Sequence, residues 1–189
     1  LLIKEQKNKE IMNKNNINVA KKTLKFLEKN SWKEITISKV ISKKEKISIN
    51  NKKELLININ RYFDYLLKQN ASTIENSSSK DMLFEVLMAR FDILNIYRLS
   101  IQNLFNYIKV NPHEFISLLP SFIDSMILIS TLANLDVNGI KGIPKIKALF
   151  LIYIITSFTW NDDSSKSLEK TMTALDKYLS QIDKFYKIA

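Results

Sequence analysis

The chain has 189 residues, 46% of them hydrophobic and 25% charged, so it is long enough to bury a core in one domain or in two small units. It has no cysteine and one histidine, which excludes a disulfide framework, a cysteine nucleophile and a multi-histidine zinc site. Residues 1–60 hold 15 lysines and 6 glutamates, a net charge of +9, whereas the remainder is nearly neutral, so the first third presents either a phosphate-facing or a basic solvated surface.

The first predicted element is an amphipathic helix over about residues 17–29. Its apolar residues Ala20, Leu24 and Leu27 recur every three or four positions and share one face. Asn30 is expected to end the helix in the left-handed conformation.

The lysine-rich stretch that follows is predicted to contain a short helix, a poorly formed segment and a long helix. Thr36 is expected to cap the short helix, which runs to about Lys43. The poorly formed segment covers residues 45–50, and Asn51 then opens a helix to about Gln69. The residues expected to face inward from this long helix are Leu55, Leu56, Ile59, Phe63, Leu66 and Leu67.

A polar, serine-rich tract over residues 70–80 is the predicted domain boundary. It divides the chain into a basic amino-terminal domain, residues 1–69, and a carboxy-terminal domain, residues 70–189.

The carboxy-terminal domain is predicted to be helical as well. One helix covers residues 81–94 and another residues 97–110. Asn111, Pro112 and Glu114 then supply a cap, a first-turn proline and a capping-box carboxylate for the next helix.

Both glycines lie in the sequence NGIKGIP, residues 138–144, which is predicted to be a loop between two apolar helices. The last helix is expected to begin after Asp162 and Asp163, because carboxylates stabilise the amino end of a helix, and to run to about Lys187.

The most apolar stretches are residues 117–135 and 148–160. Pro120 and Asp124 interrupt the first, and the second is 13 residues long, whereas a membrane span needs about 20. We therefore expect a soluble, cytoplasmic, all-α protein without a transmembrane segment, in which both stretches are buried helices.

The residues that could carry chemistry are few. No glycine-rich phosphate loop, nucleophile motif or dinucleotide fingerprint occurs in the sequence. His113 is expected to be solvated, and the adjacent Asp162 and Asp163 are expected to start a helix rather than bind a metal. The sequence therefore predicts no enzymatic activity, no cofactor and no metal site.

Residues 32–40, WKEITISKV, are preceded by VAKKTLKFLEKN and followed by NKKELL. This order resembles the amino-terminal helix-turn-helix module of TetR-family repressors. The segments LFEVLMARFDIL, HEFISLLPSFIDSM and WNDDSSKSLEKTMTALDKYLSQ are similar to a subgroup of alphaproteobacterial TetR-like proteins. The last segment also resembles the lipid-binding proteins of coenzyme Q biosynthesis, which have a TetR-like fold without a repressor's DNA-binding role.

The resemblance implies a small helix-turn-helix domain followed by a larger domain for ligand binding and dimerisation. The module would dock in a DNA major groove, with lysines on phosphates and Ser48 or Asn50 nearest the base edges. A dimer would bind a palindromic operator. The residues implied in DNA binding are Thr36, Lys39, Lys43, Lys44, Lys46, Ser48, Asn50, Lys52 and Lys53.

The resemblance also implies a pocket for a small apolar ligand in the carboxy-terminal domain. Large, flexible or aromatic side chains at helical spacing suit such a pocket, and the same spacing is typical of simple core packing. The implied pocket residues are Phe84, Met88, Phe91, Leu104, Phe105, Phe115, Leu119, Phe122, Met126 and Tyr153.

The last two helices would form a homodimer interface in a TetR-like protein. Their apolar residues follow the three-and-four spacing of a seam between helices. The implied interface residues are Phe150, Leu151, Ile154, Leu168, Met172, Leu175, Leu179 and Ile182.

The amino-terminal module departs from the family pattern. Thr36 and Lys53 are 17 positions apart, roughly half a dozen fewer than a complete module needs, and the turn glycine and terminal aromatic pair are absent. Either the recognition helix is eroded, or residues are missing between about Ser42 and Asn51. An intact helix favours a TetR-like DNA-binding transcriptional regulator with an apolar-ligand pocket. An eroded helix favours a lipid- or isoprenoid-binding protein without specific DNA binding.

Overall fold

The computed structural model describes residues 12–42, 47–71 and 78–186, with side chains to residue 182. All regular structure in these ranges is helical, which confirms the predicted all-α class. The α-helices are α1 (Lys14–Leu27), α2 (Ile37–Val40), α3 (Lys52–Asn70), α4 (Ser79–Ile96), α5 (Arg98–Val110), α6 (Pro112–Leu132), α7 (Gly139–Asp162) and α8 (Glu169–Tyr186), with one 3-10 turn at Trp32–Glu34.

Asparagine caps set the beginnings of α1 and α3. Asn13 Oδ1 accepts a hydrogen bond from the backbone N–H of Asn16 at 2.8 Å, and Asn51 Oδ1 accepts one from Glu54 at 2.9 Å. The Glu54 carboxylate reaches back to the N–H of Asn50 at 2.6 Å and closes the first turn of α3. The predicted opening of the long helix at Asn51 is confirmed.

The predicted inward faces of these helices are buried. Ala20, Leu24 and Leu27 of α1 have no exposed surface. The α3 residues Leu55, Leu56, Ile59, Phe63 and Leu67 are buried, and Leu66 is half-buried. The apolar spacing therefore located the core of this part of the chain correctly.

The predicted left-handed end of the first helix is wrong. Among the described non-glycine residues, positive φ angles occur at Asn134 and Leu168. The side chain and the backbone N–H of Asn30 instead both donate to the carbonyl of Phe26, at 2.9 and 3.2 Å, so the helix end is satisfied without a left-handed residue.

The short helix α2 differs from its prediction at both ends. Thr36 occupies the position before it but makes no capping hydrogen bond, and its hydroxyl lies 3.2 Å from that of Ser38. The helix ends at Val40, before the predicted end at Lys43.

The capping box predicted at the start of α6 is wrong, although Pro112 does open the helix. Asn111 makes no side-chain cap and donates instead to the carbonyl of Tyr107 at 2.9 Å. The Glu114 carboxylate accepts from the Tyr107 hydroxyl at 3.3 Å. Both side chains therefore tie α6 back to α5.

The predicted loop at residues 138–144 is also wrong, because α7 begins at Gly139 and continues through Pro144. A Cβ at Gly142 would lie 1.7 Å from the carbonyl oxygen of Val137. This glycine therefore marks a close approach between the helix and the preceding turn.

One core lies between the long helices. Helix α3 contacts α1, α4 and α6, and α7 contacts both α6 and α8. Because α1 and α3 share this core with the later helices, residues before and after the tract at 70–80 are buried together. The division into domains 1–69 and 70–189 stays a prediction.

Helices α6 and α7 are each long and apolar enough to span a membrane by length and composition. Core helices of soluble proteins meet the same criterion, and one third of the most apolar window of each helix is buried here. The absence of a transmembrane segment stays a prediction.

Candidate ligand-binding cavity

A cavity of about 360 Å³ lies among α3, α5, α6 and α7, with one wall residue from α4. This volume falls within the range of small-molecule sites, and nearly all the lining side chains are apolar or aromatic. The lining residues are Leu56, Ile59, Asn60, Phe63, Leu94, Ile101, Leu104, Phe105, Ile108, Lys109, Pro112, Phe115, Leu118, Phe122, Tyr153, Ile154, Ser157, Phe158 and Trp160.

Aromatic rings form two parts of the wall. The Phe122 ring lies 5.6 Å from that of Phe115 and 6.3 Å from that of Tyr153, between centroids. Phe105 and Phe158 meet edge to face at 5.2 Å. Such contacts hold the rings in place and fix the shape of the wall.

Two polar side chains, Asn60 and Tyr153, mark one region of the wall. Both are largely buried, at 7% and 5% exposure. The Asn60 Nδ2 group lies 2.9 Å from the hydroxyl oxygens of both Ser121 and Ser125, and its Oδ1 accepts from Arg90 at 2.7 Å. The polar part of the wall is therefore anchored to α6 and α4.

The charge behind this wall is balanced within the protein. Arg90 has no exposed surface and forms an ion pair with Asp64. Its Nε donates to the Tyr153 hydroxyl at 3.3 Å, and its guanidinium carbon lies 5.4 Å from the Tyr153 ring centroid. Burial acts to lower the pKa of Arg90, but Tyr153 and Asp64 outweigh burial and raise it above its usual value. The arginine therefore stays charged.

One solvent-exposed cation lines the cavity. Lys109 lies near the end of α5, and its Nζ is 5.3 Å from the centroid of the Phe105 ring. The exposed Pro112 is also a lining residue, so the end of α5 and the start of α6 form an edge of the cavity that faces solvent.

Half of the implied pocket residues line this cavity, and their role in ligand binding stays a prediction. Those that line the cavity are Leu104, Phe105, Phe115, Phe122 and Tyr153, and those that do not are Phe84, Met88, Phe91, Leu119 and Met126. Phe91 and Met126 are fully buried in the core. Phe91 stacks on Tyr153 at 5.6 Å, so it supports a wall residue.

The sequence reasoning missed the contribution of α3, whose Leu56, Ile59, Asn60 and Phe63 line the cavity. All four belong to the predicted amino-terminal domain, and Leu56, Ile59 and Phe63, but not Asn60, are among the residues predicted to face inward. An asparagine among inward-facing apolar residues was the signal for a polar group in the wall.

The residues implied in a dimer interface have several different environments. Leu168, Leu175 and Leu179 are buried in the chain's own core because α8 packs against α7 and α4. Ile154 lines the cavity, and Phe150 and Ile182 are half-buried. Leu151 and Met172 remain exposed, at 57% and 42%.

Two lysines implied in DNA binding make internal contacts. Lys39 Nζ donates to the carbonyl of Glu34 at 2.7 Å and lies 5.2 Å from the Phe26 ring centroid. Lys52 Nζ donates to the carbonyls of Trp32 and Lys33 at 3.3 and 3.1 Å. These cations hold the 3-10 turn in place.

The other implied DNA contacts lie on the surface or outside the described residues. Thr36, Ser48, Asn50 and Lys53 are exposed, and Lys43, Lys44 and Lys46 lie outside the described ranges. Residues 41–42 and 47–50 are not helical, so the part of the chain described between α2 and α3 contains no recognition helix. The DNA-binding role stays a prediction.

The two aspartates lie at the end of α7 and not, as predicted, directly before α8. Asp162 is the last residue of α7 and Asp163 its C-cap, whereas α8 begins at Glu169. Asp163 nevertheless accepts from the N–H of Thr171 in the first turn of α8.

Asp163 is fully buried and accepts hydrogen bonds from Ser165 and Thr171, through the backbone N–H and the hydroxyl of each. Burial alone would raise the pKa of Asp163, but these hydrogen bonds hold it at about 2. Arg98 of α5 donates to the carbonyls of Trp160, Asn161 and Asp163.

The comparisons with known proteins give no relative, because no protein-family model and no curated protein sequence matches this chain.

Proposed function

We propose that this protein binds a small, apolar, lipid-like molecule in the cavity among α3, α5, α6 and α7. The observation that carries the proposal is the cavity itself, which offers about 360 Å³ behind apolar and aromatic side chains. At about 30 Å³ for each non-hydrogen atom, it accommodates a ligand of about a dozen such atoms. Burial of an apolar chain against these walls supplies the binding free energy.

Titration with the uncharged fluorescent probe 1-naphthylamine, which has about a dozen non-hydrogen atoms, tests this proposal. We expect saturable binding near one probe per chain. Leu104→Trp should abolish binding, because Leu104 lines the cavity and the larger indole occupies its volume. Leu99→Trp is the matched control, since Leu99 lies on the same helix, is 63% exposed and does not line the cavity.

Circular dichroism would verify that both variants keep their helix content. If Leu104→Trp does not fold, Ile108→Trp replaces it. Ile108 is another wall residue and is half-buried, so the larger side chain is easier to accommodate. Absence of probe binding to the unmodified chain, or equal binding by the wall variant and Leu99→Trp, would overturn the proposal.

A second candidate function is DNA-binding regulation by a TetR-like protein. The net charge of +9 in residues 1–60 and the sequence resemblance around residues 32–40 support it. Selection of genomic fragments, followed by a salt titration against random DNA, separates the two functions. A regulator would hold a specific fragment far more tightly near physiological salt, whereas equal, salt-sensitive binding would leave only lysine contacts to phosphates.

We also propose, as part of the TetR-like interpretation, that the protein forms a homodimer. Leu151, Ile155 and Phe158 follow one another at four and three positions along α7 and are between 45% and 57% exposed. Light scattering coupled to size exclusion would give the mass in solution. Ile155→Glu should turn a dimer into a monomer, and a monomeric unmodified chain would contradict this part of the proposal.

A further inference from the structure

We propose that the cavity selects uncharged ligands that carry a hydrogen-bond acceptor, such as a ketone or ester carbonyl, and that the Tyr153 hydroxyl donates to this acceptor. The inference rests on the proposed function, because it describes the chemistry of the molecule held in the same cavity.

The side-chain amide of Asn60 is not available to bind a ligand, because the protein already uses its donors and its acceptor. Its Nδ2 group donates to the backbone carbonyl of Ser121 at 3.1 Å and to two serine hydroxyls at 2.9 Å. Its Oδ1 accepts the bond from Arg90. An amide has two N–H donors and one carbonyl oxygen, so the protein already uses both sides of this group.

Tyr153 differs, because its oxygen and its proton have separate roles. The oxygen accepts from Arg90 Nε at 3.3 Å, which leaves the hydroxyl proton to be donated elsewhere. Ser157, the other hydroxyl in the wall, donates to the backbone carbonyl of Tyr153 at 2.7 Å, so its proton is already used. Trp160 also lines the cavity, and its buried Nε1–H has no hydrogen-bond partner, so Tyr153 and Trp160 are the wall residues with a neutral donor to offer. We assign the role to Tyr153, and ketone binding that is insensitive to Tyr153→Phe is the result expected if Trp160 donates instead.

The electrostatics of this region oppose an anionic head group. The cation beside Tyr153 is Arg90, and Asp64 already neutralises it. A ligand carboxylate beside Tyr153 would be buried among apolar side chains without a cation of its own, which is costly. An uncharged carbonyl avoids that cost and accepts one hydrogen bond.

An anion could instead bind in the opposite orientation, with its head group beside the exposed Lys109 and its chain inside. Exposed charge pairs contribute little, so this orientation gains little over an uncharged chain. The experiment must therefore distinguish a carbonyl held at Tyr153 from a carboxylate held at Lys109.

Headspace gas chromatography measures binding of the volatile probes 2-undecanone and undecane to the purified chain. The two have chains of equal length, and only the ketone has an acceptor. Tyr153→Phe should weaken ketone binding about tenfold, as expected for a lost buried hydrogen bond, and leave undecane binding within twofold. Tyr65→Phe, the matched control, removes the same hydroxyl from a half-buried tyrosine that does not line the cavity, and it should leave both unchanged.

The undecane measurement separates a donor role of Tyr153 from a structural one. If removal of the hydroxyl only disturbs the Arg90 cluster, both probes lose affinity equally, and the inference is overturned. If undecane binds but the ketone is insensitive to Tyr153→Phe, the inference also fails while the proposed function stands. If neither probe binds, the proposed function itself fails.

Undecanoate, added as a competitor above its own pKa, tests the selection against anions. The bound probe is deuterated 2-undecanone, and the competitors are undecanoate and unlabelled 2-undecanone. We expect undecanoate to displace the probe at least tenfold more weakly than the unlabelled ketone does. Displacement of equal strength that is lost in Lys109→Met would show an anion held at the edge of the cavity, and it would overturn the inference.

Discussion

Two clusters in this protein are each centred on an arginine, and their partners differ. Arg90 is buried and donates to three side chains on two other helices, Asp64 and Asn60 of α3 and Tyr153 of α7, and one of these partners is a carboxylate. Arg98 is half-buried and donates to three backbone carbonyls around the end of α7 and to the side chain of Asn95. The side-chain cluster stands behind the cavity wall, whereas the backbone cluster fastens a helix end.

The difference shows two ways to stabilise a guanidinium that is removed wholly or partly from solvent. Arg90 is balanced by an opposite charge, so its removal leaves a carboxylate without its cation. Arg98 is stabilised by the carbonyl dipoles at a helix end and by the Trp160 ring, whose centroid lies 5.0 Å from its guanidinium carbon. We therefore expect larger effects from changes to the first cluster than to the second.

The largest effect is expected for Arg90→Met. The change removes the cation that pairs with the half-buried Asp64 and the donor to Asn60 Oδ1, which should lower the free energy of unfolding by about 3–5 kcal/mol. Urea unfolding followed by circular dichroism measures the loss. Arg61→Met is the control, because Arg61 lies on the exposed face of α3 and should change stability by less than about 0.5 kcal/mol. A loss below about 1 kcal/mol for Arg90→Met would contradict the assigned role of the ion pair.

Arg98→Met should have the next largest effect, a loss of about 2–3 kcal/mol, since it removes charge-assisted hydrogen bonds to the carbonyls of Trp160, Asn161 and Asp163 at the helix end. Arg98→Lys should recover part of the lost stability, because lysine keeps the positive charge but lacks the planar guanidinium with its several N–H donors. Equal stability of both variants would show that geometry rather than charge matters here. The same urea titration provides the measurement.

Asp163 makes the second cluster sensitive to acid. Its folded pKa of about 2 lies below the ordinary value of 3.8, so its stabilisation is complete above about pH 4 and is lost as the pH falls through about 2. The contribution is about 2 kcal/mol. Asp163→Asn should lower stability at neutral pH and flatten the loss between about pH 4 and 2, whereas the exposed Asp162→Asn should not. Urea unfolding curves recorded between about pH 2 and 7 would show whether the pH dependence of stability comes from Asp163.

Lys52 is a partly exposed lysine that, like Arg98, donates hydrogen bonds to backbone carbonyls. Lys52→Met should cost about 0.5–1 kcal/mol through loss of its bonds to Trp32 and Lys33, while Lys53→Met should not measurably change stability. If both variants unfold like the unmodified chain, the contacts of Lys52 contribute nothing. Because both remove one charge, their DNA affinities should remain equal if only the overall charge matters.

The sequence predicted helices more reliably than their ends. The apolar spacing located the buried faces of α1 and α3, and Asn51 marked a true cap. Thr36 and Asn111 carry the residue types of caps, yet their side chains bond to other groups nearby. Local propensity identifies which groups could cap a helix, and tertiary contacts decide whether they do.

The cavity was harder to predict, because helical periodicity separates inside from outside but not a packed core from the wall of a cavity. Phe91 and Phe122 both face inward, yet only Phe122 lines the cavity. The buried ion pair has a visible signal, since Arg90 follows Leu83 and Leu87 on the inward face of α4. A charge at such a position requires a buried partner, but the sequence does not indicate that the partner is Asp64.

The two glycines of α7 differ in which amino-acid substitutions the fold can accept at each position. Gly139 has a φ of +64° and open space around it, so asparagine or aspartate could replace it in a mutational library at a cost of about 1 kcal/mol. At Gly142 the obstacle is the Val137 carbonyl of the main chain, which no choice of side chain can avoid. A gene encoding this protein can therefore tolerate some drift at the first of these codons, whereas selection for the fold will preserve the second.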